Sequence, residues 1–234
     1  MDNRIHEIIN KGKGEAFLEF LFQSISEERR QRFQSISSNR TRHITVAIEN
    51  IYQSHNASAV LRSCDCFGIQ DVHIIEGSNQ FNPNDEIALG AEKWLDIYKY
   101  NGDNPLDICY SELRQKGYLI AATTPHFDAI PVNNLPIDRP LALVFGTEKD
   151  GLTEEAVNKS DIRVALPMYG FTESFNISVS VALFLQKTID KSIENNSLRY
   201  LSEEERHALL IQWCLKSIRN SENLFSVFEN TENA

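Results

Sequence analysis

The sequence predicts an α/β fold: a mostly parallel sheet with helices on both faces. Short apolar runs alternate with segments of helical periodicity along the middle of the chain, which is the signature of strand–helix–strand units. The strand runs themselves, such as ITVAIEN (44–50) and LALVFG (141–146), are short and apolar, as parallel strands covered on both faces must be. A third observation is the length of the apolar run that follows Asn176, too long for one more strand.

Residues 1–33 read as helical, with Phe17, Leu18, Leu21 and Phe22 at helical spacing. After the first strand, Asn56 is placed as the N-cap of a helix over Ala57–Phe67, because its side chain suits a free helix N-terminus. Ala57, Val60, Leu61, Cys64 and Phe67 form one apolar stripe there, Ser58, Arg62 and Asp65 lie opposite, and Gly68 closes the helix with a left-handed residue. VHII (72–75) is the next strand, followed by a helix near 105–116, then YLIAATT (118–124) and LALVFG (141–146). GLTEEAVNKS is a short helix and IRVALPM (162–168) the last strand.

Residues 170–187, GFTESFNISVSVALFLQK, fit two periods. Ile177, Val179 and Val181 alternate with serines like a strand, yet Val181–Leu185 is unbroken and apolar. The setting favours a helix from Asn176 to about 194, with the serines as a small face where another backbone packs. Ser202 followed by Glu205 is a capping box opening a further helix, and the tail is acidic. The expected divisions are an N-terminal helical extension (1–43), a central α/β domain (44–195) and a C-terminal helical extension (196–234).

At 234 residues and 41% hydrophobic, the chain can bury a core without disulfides. No stretch approaches the roughly 20 apolar residues of a membrane span, and the charged start lacks a signal-peptide core. Four cysteines without a CxxC pair or a Cys/His cluster imply reduced thiols, a cytoplasmic setting and no metal. A net charge of −10 argues against indiscriminate nucleic-acid binding. The segment RRQRFQSISSNRTR (29–42) runs the other way, with Arg29, Arg30, Arg32, Arg40 and Arg42 and no acid. It reads either as a solvated helix end or as a phosphate-contacting patch on an otherwise acidic body.

Parallel α/β sheets bind ligands at the carboxyl ends of their strands, and three loops there are unusual. In the first, Arg62 is either paired with Asp65 on a helix surface or a functional cation. In the second, VFGTEKDGL (144–152), Gly146 and Gly151 let the backbone approach a ligand, with Glu148 between them. In the third, Ser174 and Asn176 stand where the N–H groups of a helix end point outward. Neither G-x-G-x-x-G after the first strand, nor a Walker loop, nor a G-x-S-x-G elbow is present, which argues against nucleotide-binding and hydrolase readings.

Together, ENIYQSHNASAVLRSCDCFGI (49–69), LALVFGTEKDGLTEEAV (141–157) and LPMYGFTESFNISVSVALFL (166–185) resemble, in order and spacing, the three signature motifs of the SpoU family of RNA ribose 2′-O-methyltransferases. RTRHITVAIENIYQSHNASAVLRS, LGAEKWLDI and LSEEERHALLIQWCLKSI extend the resemblance to its tRNA-guanosine branch, over roughly residues 35–217. The resemblance implies a SPOUT-type domain with a deep C-terminal trefoil knot, S-adenosylmethionine as cofactor without a metal, and a homodimer in which the helix from Asn176 buries against its symmetry mate, with Val181 among the interfacial positions. It implies methylation of the D-loop guanosine at position 18 of tRNA. Ribosomal RNA is the alternative substrate, and a non-catalytic RNA-binding protein the third reading. Asn56, Arg62, Glu148, Ser174 and Asn176 match the family's catalytic positions, with Arg62 expected to clamp phosphate and meet the developing alkoxide. Thr123, Phe145, Gly146, Leu166 and Met168, with Ser174 and Asn176, are expected to hold the cofactor. Phe175, the Thr172–Glu173 pair and Cys66 depart from the family's usual residues, and Glu173 is expected near the RNA path.

Overall fold

The structure, a computed structural model, describes residues 3–51, 53–78, 81, 88–125, 128–147 and 149–232. The chain divides into two units, 1–40 with 200–234, and 41–199. The two extensions expected as separate segments therefore cluster together, with boundaries at 40 and 200 rather than 43 and 196. No helix among the described residues is long and apolar enough to cross a membrane.

The helical unit holds α1 (Asn3–Asn10), α2 (Gly14–Phe22), α3 (Glu27–Ser37), α8 (Glu203–Ser217) and α9 (Leu224–Glu232). Aromatic packing fills it. The Phe17 ring lies 5.0 Å from both Phe225 and Phe228, and Phe33 meets Trp213 edge-on at 5.5 Å. The capping box at α8 forms as expected, with the Glu205 amide donating to Ser202 Oγ and the Ser202 amide to Glu205 Oε2.

The central unit is built from β1 (Ile44–Glu49), α4 (Ser54–Cys66), β2 (Asp71–Ile75), β3 (Asp96–Tyr100), α5 (Pro105–Gln115), β4 (Leu119–Thr123), β5 (Ile130–Pro131), β6 (Leu141–Phe145), α6 (Glu154–Lys159), β7 (Ile162–Ala165) and α7 (Ile177–Glu194). The strands form one seven-stranded sheet in the order β3-β2-β1-β6-β4-β7-β5, with every pairing parallel. Ile44, Val46 and Ile48 of β1 point into a core shared with α4 and α7. Ala47, between them, points to the other face, where α5 and α6 contribute Leu106, Tyr110 and Ala156. Helices thus cover both faces, as the apolar strands required.

Two strands escaped the sequence reading. β3 is half-exposed along DIYKY, and β5 is only two residues long, so neither presents an apolar run. The α4 helix starts at Ser54 with Gln53 as N-cap, so Asn56 lies within its first turn rather than capping it. Its other end is as expected: Gly68 takes φ +73°, with the Gly68 amide bonded to the Asp65 carbonyl and the Ile69 amide to the Cys64 carbonyl. This is a Schellman closure.

Residues 177–194 form a helix, which settles the double reading of that stretch. Ile177, Val181, Phe184, Leu185, Thr188 and Ile189 are buried at helical spacing. Val181 is 0% exposed inside its own unit, whereas Val179 is 44% exposed. Two residues apart on a helix face nearly opposite ways, so Val179, not Val181, is the position free to meet another surface.

The face beneath α5 contains a buried polar chain. The Nδ1 of His73 lies 2.9 Å from the Tyr100 hydroxyl, which donates to Glu112 Oε2 at 2.8 Å. With that hydroxyl proton committed to Glu112, His73 must donate from Nδ1 and is held neutral. The imidazole is fully buried, and burial, helped by the Lys116 charge, pulls its pKa down to about 3. A depressed pKa in the fold means that acid favours the unfolded chain, whose histidine protonates near 6.5. Stability from this residue is therefore complete above pH 6.5 and declines as pH falls toward 3, by up to about 1.4 kcal/mol per pH unit. We expect the acid limb of a denaturant-stability profile between pH 6.5 and 5 to be shallower in His73→Gln than in wild type. Equal slopes would show that His73 is not the residue resisting protonation.

Candidate active site

The non-sequential strand order decides where the site lies. β6 inserts between β1 and β4, and β7 lies on the far side of β4, so the loops following β4, β6 and β7 leave the sheet side by side. They line a pocket of about 290 Å³, close to the smaller ligand sites of proteins. Thr123 contributes from the end of β4, Phe145 from the end of β6 and Gly146 just after it, and Leu166, Met168 and Ser174 from the segment after β7. All but one of the expected cofactor residues thus come together. The Thr123 hydroxyl is itself committed to the Val144 carbonyl at 2.8 Å, so it braces the two strands.

Gly146 owes its identity to its own chain. A Cβ there would run into the Gly151 carbonyl and the Leu152 amide. The loop doubles back because the Thr147 amide donates to the Gly151 carbonyl at 2.9 Å and the Gly151 amide returns the bond at 3.1 Å. Gly151, at φ +70°, makes the turn. The close approach expected between this backbone and a ligand is first an approach between two stretches of the same loop. Glu148 falls outside the described residues.

Asn176, the remaining cofactor candidate, does not line the pocket but sits at its edge, between Phe175 and Ile177, which do. Its Oδ1 accepts from the Ser178 amide at 2.9 Å and the Ser178 hydroxyl at 2.6 Å, capping α7 as expected. Its Nδ2 donates to Asn56 Oδ1 at 3.1 Å, and Asn56 in turn donates to Gln53 Oε1 at 3.0 Å. The first and third sequence motifs, 120 residues apart, are thereby joined side chain to side chain. This bond explains why Asn56 is buried within α4 instead of capping it.

Arg62 is two turns further along α4 and exposed, on the side away from the buried Leu61 and Cys64. No ion pair joins it to Asp65, and among the described residues its guanidinium has no hydrogen-bond partner. The expected alternative, a surface salt bridge at i+3, is absent. Among the described residues Arg62 is thus an unpartnered cation, in the second half of the helix whose first turn Asn176 touches.

The basic segment divides. Arg29 and Arg32 are exposed on α3. Arg30 bonds Glu19 at 2.9 Å and lies over the Phe22 ring. Arg40 is 1% exposed and stacks on Trp213 with 5.3 Å to the ring centroid, so it lacks the exposure a phosphate contact needs. Arg42 donates to Asp71 at 3.0 Å and Asp96 at 2.8 Å, both carboxylates being nearly buried. Burial pushes the Asp71 carboxyl above its ordinary pKa, with Arg42 opposing the rise. Removing Arg42 would leave these acids buried and unpaired. The expectation of RNA contacts is corrected at Arg40 and Arg42, whose guanidiniums serve the fold.

Glu49 is a residue the sequence reading passed over. At the end of β1 it is 6% exposed, and its carboxylate accepts from the Thr153 amide at 2.8 Å and the Thr153 hydroxyl at 2.7 Å. Thr153 caps α6 through the Ala156 amide. Glu49 thus ties β1 to the far end of the loop that begins at Gly146. An acid closing the mostly apolar run ITVAI was the available signal, since a buried carboxylate must be hydrogen-bonded.

Comparison with known proteins agrees with this arrangement. The SpoU rRNA Methylase family matches residues 43–186. A tRNA (guanosine(18)-2'-O)-methyltransferase of Borreliella burgdorferi is 34% identical over 197 residues, covering 84% of this chain and 88% of that protein. The enzyme of the same name from Escherichia coli K12 is 28% identical, over 77% of this chain and 80% of its own length. Among solved structures, an Aquifex aeolicus TrmH/SpoU tRNA modifying enzyme is similar with a TM-score of 0.73 at 29% identity, over 82% of this chain and 97% of that one. The fold is also that of the SpoU methyltransferase AviRb from Streptomyces viridochromogenes, solved with the cofactor AdoMet (TM-score 0.58, 19% identity, 66% and 62% covered). With the family's own region spanning more than half of the sequence and folding into the three-loop pocket, this chain belongs to the SpoU methylase family.

Proposed function

We propose that this chain is an S-adenosylmethionine-dependent RNA ribose 2′-O-methyltransferase that acts on guanosine 18 in the D-loop of tRNA. The observation that carries the reading is the union of the second and third motif loops around one pocket, with the first motif joined to the third by the Asn56–Asn176 bond. The relatives named as tRNA (guanosine(18)-2'-O)-methyltransferases support the substrate.

The pocket suits the cofactor's two ends. Phe145, Leu166, Met168 and Ile177 offer an apolar wall for an adenine, while Thr147, Lys149, Asp150 and Ser174 offer a polar rim for a charged amino-acid end. S-adenosylmethionine, when bound, supplies a methyl group activated by its sulfonium charge. The chain has three remaining tasks: to fix the ribose in line, to stabilise its 2′-oxygen as it loses a proton, and to exclude water. Arg62 fits the second. A guanidinium stays charged at every relevant pH, so it acts as phosphate clamp and alkoxide stabiliser rather than as the base. Asn56 and Asn176 hold the first turns of α4 and α7 together, which sets the direction in which α4 presents Arg62. Glu148 and Ser174 complete the match to the family's catalytic positions, and Arg29 and Arg32 are the exposed cations of the basic segment left for RNA phosphates, with Arg30 adjoining them.

The same reading includes a homodimer and a C-terminal knot. Support for the dimer is apolar exposure next to the pocket: Tyr169 is 97% exposed, Phe171 fully so, and Phe175 and Val179 each 44%. Support for the knot is the sheet order, in which the chain passes from β6, on one side of β4, to β7 on the other.

The family's own description names ribosomal RNA, so the substrate needs a direct test. With labelled methyl donor, unmodified tRNA transcripts should be methylated to near stoichiometry while ribosomal RNA fragments stay unlabelled. Label in ribosomal RNA alone would replace the substrate, and label in neither would overturn the enzyme reading.

A further inference from the structure

Glu173 brings to the pocket a charge that the chemistry above does not use. It lines the pocket from the segment between β7 and α7 and is the sole acid in residues 162–176. Its carboxylate has no hydrogen-bond or ion-pair partner among the described residues. The other charged side chains described at the pocket are Lys149 and Asp150, neighbours in sequence on the opposite loop. Those two cancel, so Glu173 leaves the described lining with a net charge of −1.

The ligands of a methyl-transfer pocket differ in this same quantity. S-adenosylmethionine carries a sulfonium, an ammonium and a carboxylate, a net positive charge. Its product, S-adenosylhomocysteine, has lost the sulfonium charge with the methyl group and is neutral overall. The two are otherwise close in shape, and an apolar wall cannot tell them apart. A fixed negative charge can.

We propose that Glu173 is a donor-selecting residue, its carboxylate giving the pocket a preference for the cationic methyl donor over the neutral thioether product. The proposal rests on the S-adenosylmethionine reading of the site. It assigns Glu173 a role in choosing between the ligands and in releasing the spent one, not in lowering the reaction barrier, since the sulfonium charge is being lost as the transition state forms. Because the side chain is exposed, water and salt weaken its field, and the expected discrimination is modest, about threefold to tenfold at low salt.

The test is calorimetric titration of the full chain with each ligand separately, for wild type, Glu173→Gln and Glu173→Lys, at low and high ionic strength. The loop is exposed, and equal melting temperatures will show that all three proteins fold. The expected result is a stepwise loss of S-adenosylmethionine affinity from Glu to Gln to Lys, with S-adenosylhomocysteine affinity changing by less than about twofold, and with added salt narrowing the wild-type preference. Equal losses for both ligands would assign Glu173 to loop structure or to the shared ammonium, and an unchanged ratio would leave it no part in selection. Either result overturns the proposal while the methyltransferase reading stands. If wild type binds neither ligand, that reading fails too.

Discussion

Arg62→Ala is expected to bind S-adenosylmethionine as wild type does and to transfer its methyl group at least about a hundredfold more slowly, the usual cost of losing one transition-state donor. The structure makes the prediction sharp. Arg62 is exposed and has no ion-pair partner among the described residues, so its removal should change folding stability by no more than about 0.5 kcal/mol. It does not line the pocket, so cofactor affinity should be preserved. A large kinetic loss without a structural or binding loss is the signature of a residue that acts on the substrate. Arg62→Lys should recover little, because a compact ammonium cannot reproduce the planar fork that holds a phosphate and an oxygen together. Single-turnover assays beside calorimetry and a thermal melt separate these quantities. Methyl transfer by Arg62→Ala near the wild-type rate would remove Arg62 from the mechanism.

Gly146→Ala is expected to damage both fold and cofactor binding. The added methyl would meet backbone atoms of Gly151 and Leu152, which cannot swing aside as a side chain can. The loop would have to open, giving up the paired Thr147 and Gly151 hydrogen bonds and loosening the Thr153 cap that Glu49 holds. Overpacking of this kind costs about 1–3 kcal/mol and sometimes more, and the upper end corresponds to a fall of roughly 6–12 °C in Tm for a chain of this size. Because Gly146 and Phe145 line the pocket, S-adenosylmethionine binding should become undetectable by calorimetry. A Gly146→Ala protein with wild-type Tm and affinity would mean that the loop has another closed form.

The fold was legible where local pattern and tertiary demand agree. α7 could be read because Asn176 offers a cap and the apolar run behind it is too long for a strand. The capping box of α8 could be read because both of its bonds are local. The start of α4 was misplaced because Asn56 resembles a cap, whereas its side chain is engaged by Asn176, 120 residues away. Arg40 and Arg42 looked like free cations for the same reason. The acids that bind Arg42 lie 29 and 54 residues further on, and nothing near Arg40 in sequence announces Trp213. β3 and β5 were missed because an edge strand need not be apolar and a two-residue strand has no pattern.

The site was legible as a set of motifs but not as a place. Composition and spacing marked three loops with glycines, caps and charged residues, and family resemblance supplied their roles. What brings Thr123, Gly146 and Met168 to one pocket is the insertion of β6 between β1 and β4, a long-range pairing that no window of sequence records. Glu49 was overlooked for a related reason: its partner Thr153 is 104 residues distant.

The central claim is that a ribose 2′-hydroxyl of a tRNA guanosine receives the methyl group. It is tested most directly by single-turnover transfer from labelled S-adenosylmethionine to two synthetic tRNAs, one unmodified and one with 2′-deoxyguanosine at position 18 alone. The account predicts stoichiometric label in the first, recovered as 2′-O-methylguanosine after digestion, and none in the second. Equal labelling of the two tRNAs would place the methyl group elsewhere and contradict it.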